Sequence, residues 1–222
     1  MDAPARYDGL ADWYDERLGP FTTGAADLVR DLVGPGAGRC LDLGCGTGIH
    51  LPLLRELGWR VTGLDTSADM LRRASERAES AELVRGDAAA LPFADGSFEA
   101  VTSIFVHTDV DDYRAALREA ARVLRPSGQL VHVGLHPCFV GPFSRYQGPE
   151  EPPLLFSGYR STEWTDDAPG FGEGLRRIVG SRHLPLAELL NAHVAAGFRL
   201  DRFEEFPSTD FPRVLALRAL RV

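Results

Sequence analysis

With 222 residues, 44% of them hydrophobic and 25% charged, the chain can bury a sizeable core, which excludes a disordered or fibrous protein. Its formal charge of −8 argues against a general nucleic-acid or acidic-membrane binder, because such surfaces need a dense basic field. Cys40, Cys45 and Cys138 are odd in number and lack metal-ligand spacing, so neither a disulfide framework nor a metal site is expected. No apolar run reaches bilayer length and the first 20 residues carry acids, so a cytoplasmic protein with no membrane partner is expected.

Leu10, Trp13, Tyr14 and Leu18 fall on one face of an opening amphipathic helix, and Ala25 to Val33 reads as a second helix stopped by Gly34-Pro35-Gly36. Arg39 to Leu43 is a short apolar strand that runs into Gly44-Cys45-Gly46-Thr47-Gly48. A helical pattern follows through Ile49, Leu53, Leu54 and Leu57, giving strand, tight turn and helix. Gly44 suits a sharp turn and Gly46 a close approach of backbone to ligand. Ile49 stands where a dinucleotide fingerprint would place its third glycine, and Asp42 would be a poor neighbour for a pyrophosphate but suits a ligand carrying an ammonium group.

Arg60 to Asp65 is the second strand. Asp65 at its carboxyl end lies about 20 residues beyond the glycines, where an acid can accept both hydroxyls of a ribose. Thr66 or Ser67 can cap the next helix, and Met70 can pack on a purine face or simply fill the core. Glu82 to Gly86 is the third strand, ending at Asp87-Ala88, where a second carboxylate can accept from an adenine amine. A nicotinamide enzyme has no need of that second acid. Phe98 to Phe105 is the fourth strand. Asp111 and Asp112 then open a helix over Tyr113 to Leu124, and Leu130 to Leu135 is the fifth strand. A helix from Leu186 to Gly197 precedes two strands, Arg199 to Phe206 and Val214 to Ala219, whose short connection suits an antiparallel hairpin.

The run Leu41-Asp42-Leu43-Gly44-Cys45-Gly46-Thr47-Gly48 resembles the first motif of the class I S-adenosylmethionine-dependent methyltransferases. Gly86-Asp87-Ala88 leading to Leu91-Pro92-Phe93, and Leu124-Arg125-Pro126-Ser127-Gly128, are similar to later motifs of that family, so the resemblance runs from Leu41 to Leu135. It implies a Rossmann-like three-layer α/β sandwich, with a seven-stranded, mostly parallel sheet closed by the C-terminal antiparallel hairpin. It also implies S-adenosyl-L-methionine as cofactor, held by Tyr14, Asp42, Gly44, Gly46, Asp65, Thr66, Met70, Asp87, Ala88 and Phe105. In such enzymes the opening segment, here residues 1–20, folds over the cofactor as a lid, with Tyr7 or Tyr14 above its methionine end. Two rivals remain: an NAD(P)-dependent oxidoreductase, disfavoured by Asp42, Ile49 and Asp87, and a non-catalytic S-adenosylmethionine-binding partner protein.

Residues 1–222 read as one domain, with residues 136–183 as an insertion far longer than an ordinary connection. Inserts at a sheet's carboxyl edge usually line the binding crevice. The aromatic residues of this one, with Phe139, Tyr159 and Trp164 as substrate candidates beside His183, point to a small, partly aromatic or apolar acceptor. Methyl transfer from a sulfonium needs nucleophile, methyl and sulfur in line. If the acceptor is a hydroxyl or carbon acid, a histidine is the natural base, and His107 and His136, beyond the fourth and fifth strands, are the candidates. The acceptor atom and the oligomeric state are not readable from the sequence.

Overall fold

The computed structural model describes residues 5–78, 80–148, 151–172, 174–207 and 209–222; the first four residues of the expected lid and residues 149, 150 and 173 of the expected insertion lie outside it. Three helices open the chain: α1 (Ala11–Arg17), α2 (Gly19–Thr23) and α3 (Ala26–Val33). The central units follow as β1 (Arg39–Leu43), α4 (Leu51–Glu56), β2 (Arg60–Asp65), α5 (Ala68–Arg77), β3 (Glu82–Arg85), β4 (Phe98–Ile104), α6 (Tyr113–Val123) and β5 (Leu124–Leu135). After the insertion, which contains α7 (Leu175–Val179), come α8 (Leu186–Ala195), β6 (Phe198–Phe206) and β7 (Val214–Arg221).

These seven strands form one sheet in the order β6-β7-β5-β4-β1-β2-β3. β1 pairs in parallel with β2 and β4, β2 with β3 and β4 with β5, whereas β7 runs antiparallel to both β5 and β6. β1 sits at the point where the strand order reverses, with β2 on one side and β4 on the other. In open α/β sheets that is where a crevice forms beyond the strands' carboxyl ends.

A central strand is buried on both faces, and in β1 Cys40 faces one helix layer and Leu41 the other, with Asp42 as its one buried charged residue. Val29, Leu32, Leu51, Leu54 and Ala74, from α3, α4 and α5, pack with Cys40, Val61 and Ala100 on one face of the sheet. Tyr113, Ala116, Leu117, Ala120, Leu189 and Ala192, from α6 and α8, pack with Leu41, Leu43 and Val101 on the other. Of the two hydroxyls offered ahead of α5, Ser67 is the cap, accepting the Met70 amide at 3.2 Å; Asp112 caps α6 by accepting the Ala115 amide at 2.9 Å.

The sequence places the fifth strand from Leu130, but β5 begins at Leu124. Phe98 pairs with Leu124 and Ala100 with Gln129, so Arg125 to Gly128 bulge out of the ladder, with Ser127 at φ 61°. Further along β5, Gly134 is obligatory: a β-carbon there would stand 2.8 Å from Nε2 of His132 and closer still to Nδ1 of His107. Both rings are buried, so neither can swing into solvent. Gly134→Ala is expected to cost about 1–3 kcal/mol by overpacking, read as a lower urea midpoint with an unchanged slope. An unshifted midpoint would show that the two rings have room to move.

Candidate active site

The carboxyl ends of β1, β2, β3 and β4 open into a cleft of about 980 Å³. Gly44 turns the chain out of β1 at φ 72°, and a β-carbon on it would meet Val106 Cγ2 at 2.6 Å. Gly46 follows at φ 53° and has open space where a side chain would be. A ligand can therefore lie against the bare backbone of the turn.

Asp65, at the tip of β2, fastens this turn to α5. One of its carboxylate oxygens accepts the Gly46 amide and the other the Ser67 amide, each at 2.9 Å. Burial raises its pKa, and the backbone donors at Ser67, Gly46 and Thr66 oppose that rise. Asp87, at the tip of β3, accepts the Ala89 amide at 2.9 Å. Asp65 and Asp87 line the cleft, as do Met70 from α5 and Ala88. Phe105, directly after β4, takes φ 58° and packs its ring against Phe21 at 5.2 Å.

Of the ten residues expected to hold a cofactor, Tyr14, Gly44, Gly46, Asp65, Thr66, Met70, Asp87, Ala88 and Phe105 line this cleft. Asp42 does not. Its carboxylate is buried in β1 and accepts the Thr102 hydroxyl at 2.7 Å, and burial pushes its pKa up to about 6.

The two candidate bases and four insertion residues lie outside the cleft lining. His107 turns inward over Gly134, 5.0 Å from the His132 ring, and burial pushes its pKa down to about 3. His136 faces the hairpin side, where its Nε2 and a Glu205 carboxylate oxygen are 2.8 Å apart; Phe139 stacks on that ring at 4.8 Å. His183 packs between Phe143 and Tyr159, and the Tyr159 hydroxyl accepts the Leu186 amide at 3.0 Å. Trp164 lies beneath the Arg6 guanidinium, 3.7 Å from the ring centre.

The sequence reading did not single out the polar cluster at the open end of the cleft, although Tyr7 was named there as a lid residue. The Tyr7 hydroxyl donates to Asp109 Oδ1 at 2.6 Å. Arg176, from α7, donates to both Asp109 oxygens and, at 3.1 Å, to the Thr108 hydroxyl. Arg6 pairs with Asp111 at 2.6 Å. Three segments far apart in sequence meet here, and no local spacing announces them. Among the described residues, no three His, Cys, Asp or Glu side chains are grouped so as to hold a metal ion.

Sheet order and glycine turn are similar to those of the class I S-adenosylmethionine-dependent methyltransferases. More narrowly, residues 41–132 match the family model described as "Methyltransferase domain". A demethylmenaquinone methyltransferase from Renibacterium salmoninarum is 38% identical over 148 residues, 64% of this chain and 62% of that protein. One of the same name from Thermotoga maritima is 37% identical over 138 residues, 59% of this chain and 60% of that protein. The chain thus spans less than two thirds of the length of these relatives. A solved S-adenosylmethionine-dependent methyltransferase from Mesorhizobium loti matches with a TM-score of 0.73 at 26% identity, over 90% of this chain and all of that one.

The cleft fits S-adenosylmethionine. Gly46 leaves room for a ligand on the backbone, and Asp65 and Asp87 line the same cleft at the ends of adjacent strands. Among the described residues, no helix is long and apolar enough to cross a membrane.

Proposed function

We propose that the chain is an S-adenosylmethionine-dependent methyltransferase acting on a small, apolar and partly aromatic molecule. The observation that carries this is the joint presence in one cleft of a bare glycine turn and two carboxylates on successive strand tips. Asp65 would hold the ribose, Asp87 the adenine amine, and Met70 and Ala88 the purine faces, while the turn at Gly44 and Gly46 receives the amino-acid end. S-adenosylmethionine supplies a methyl group on a positively charged sulfur. The protein has to align the acceptor with that methyl and keep water out.

The opening segment is the lid in this reading. It spans the cleft from one rim to the other: Asp8 accepts the Ser67 hydroxyl at 2.6 Å, while Tyr7 reaches Asp109. The insertion takes part through Trp164 and Arg176, which hold Arg6 and Asp109. The relatives are named for demethylmenaquinone, which points to a quinone, oxidised or reduced, as the acceptor class, and the apolar cleft residues Ile104, Val106 and Val110 suit it.

Calorimetry with S-adenosylhomocysteine and with NADH tests the cofactor assignment. Binding of the first and not the second is expected, and the reverse would return the dehydrogenase reading. Transfer of radiolabelled methyl to reduced 1,4-naphthoquinone, against an equally sized saturated alcohol, tests the acceptor class.

A further inference from the structure

The cleft contains a device for moving a proton, and it is not built from histidine. Tyr7 and Asp109 both line the cleft and share a hydrogen bond of 2.6 Å, whereas His107, His136 and His183 are absent from the lining. Burial raises the Tyr7 pKa well above its ordinary value, so its phenol stays protonated and donates to the carboxylate. A donating phenol keeps oxygen lone pairs free to accept from a ligand hydroxyl. Arg176 grips both Asp109 oxygens and fixes the carboxylate's direction.

The surrounding charges also narrow the ligand. Asp109 is matched by Arg176 and Asp111 by Arg6, so an ionic acceptor would meet no unmatched counter-charge from either pair. We infer that Tyr7 accepts the proton of a hydroxyl on a neutral acceptor ring while passing its own proton to Asp109, with Arg176 as the positioning residue. This rests on the methyltransferase reading above and adds the route of the proton to it.

The balance is complete. The acceptor O–H bond breaks and its proton goes to Tyr7 Oη, as the Tyr7 proton moves to Asp109 Oδ1. The electron pair left on the acceptor forms the new bond to the methyl carbon. The carbon–sulfur bond breaks with its pair going to sulfur, which becomes neutral. If the pair is delivered through the ring to the neighbouring carbon, that carbon's own proton is lost to water as the ring regains aromaticity, and the ring oxygen takes a proton back from solvent, so that one proton is released in all. Asp109 returns its proton to solvent when the product leaves.

Tyr7→Phe tests this cleanly, because Asp109 keeps Arg176 and the Thr108 hydroxyl as donors. The probe is reduced 1,4-naphthoquinone with labelled S-adenosylmethionine. Expected are S-adenosylhomocysteine affinity within about threefold of wild type and kcat lower by about 100-fold or more. The groups facing this pair are Tyr14, Arg176, His107 and Asp65, with Arg6 and Asp111 beside it; none of them is changed by the substitution.

A second readout uses 4-nitrocatechol bound with S-adenosylhomocysteine. Its ionised absorbance should be larger on wild type than on Tyr7→Phe or on Asp109→Asn, the latter checked for folding by its melting curve. A Tyr7→Phe variant with wild-type turnover overturns the inference. So does wild-type protein that binds S-adenosylmethionine yet methylates neither probe. Failure to bind S-adenosylmethionine at all would instead strike the methyltransferase reading itself.

Discussion

Taken from pH 7 toward pH 4.5, the protein is expected to unfold cooperatively with a midpoint near pH 5. The cause is a set of buried, neutral histidines. Burial pushes His107 down to about 3 and His50, His183 and His193 down to about 4, and holds His132 well below its ordinary value. In the unfolded chain each titrates at about 6.5. Below that pH the unfolded state binds protons that the native state refuses, so stability falls as pH falls. Each such histidine costs up to about 1.4 kcal/mol per pH unit until its native pKa is reached.

Two carboxylates work the other way. Burial raises Asp42 to about 6 and raises Asp65, so as pH falls the native state takes up protons at both before the unfolded chain does, at Asp42 from about pH 6. Five histidines against two acids leave a net slope of about 4 kcal/mol per pH unit where both acids oppose in full, enough to remove about 8 kcal/mol over two units and so to unfold a protein in the lower half of the typical range of about 5–15 kcal/mol. Near-UV circular dichroism against pH measures it, and a native signal that persists at pH 4.5 would overturn the account. His50→Leu should flatten the slope, because that ring's shift comes from burial alone and its Nε2 has no partner.

The same histidines mark where sequence reading stops. β1, β2 and β4 were legible almost to the residue, because each is a short stretch rich in apolar and β-branched residues with a turn signal at one end: Gly44 after β1, Asp65 closing β2 and Asp95-Gly96 ahead of β4. The glycine turn and Asp65 were legible because their spacing is local. The direction of a side chain just past a strand is not local. His107 follows Val106, which lines the cleft, yet its ring lies inward over Gly134, twenty-seven residues on in β5. Only the register of β4 on β5 brings those two together.

Long-range polar clusters were hidden for a related reason. Tyr7, Asp109 and Arg176 are each unremarkable in their own segments and acquire a role only where three segments meet. In the insertion the aromatic residues were visible as composition, but the short ribbons that place them were not. Two-residue strands such as Ser144–Arg145 on Leu154–Leu155 and Trp164–Thr165 on Ser181–Arg182 carry no periodicity. The hairpin was legible as two apolar stretches, but its irregular pairing between Leu200 and Arg202 was not.

Asp65→Ala is expected to weaken S-adenosylhomocysteine by roughly 10- to 150-fold, the equivalent of about 1.5–3 kcal/mol for charge-assisted bonds to a sugar. Asp87→Ala should cost less, because that carboxylate organises one backbone amide whereas Asp65 organises two on opposite sides of the cleft floor. Removing Asp65 also leaves the Gly46 and Ser67 amides without their partner, so the turn loses its tie to α5 before any ligand arrives. Asp65→Asn separates the two effects only in part: an amide offers one oxygen and one NH₂, and the NH₂ must face a backbone donor on one side. Titrations on protein shown to be folded by its melting curve therefore decide the matter, since instability alone would lower the active fraction without changing the dissociation constant. An Asp65→Ala variant that stays folded and binds S-adenosylhomocysteine as tightly as wild type would take the sugar away from this carboxylate.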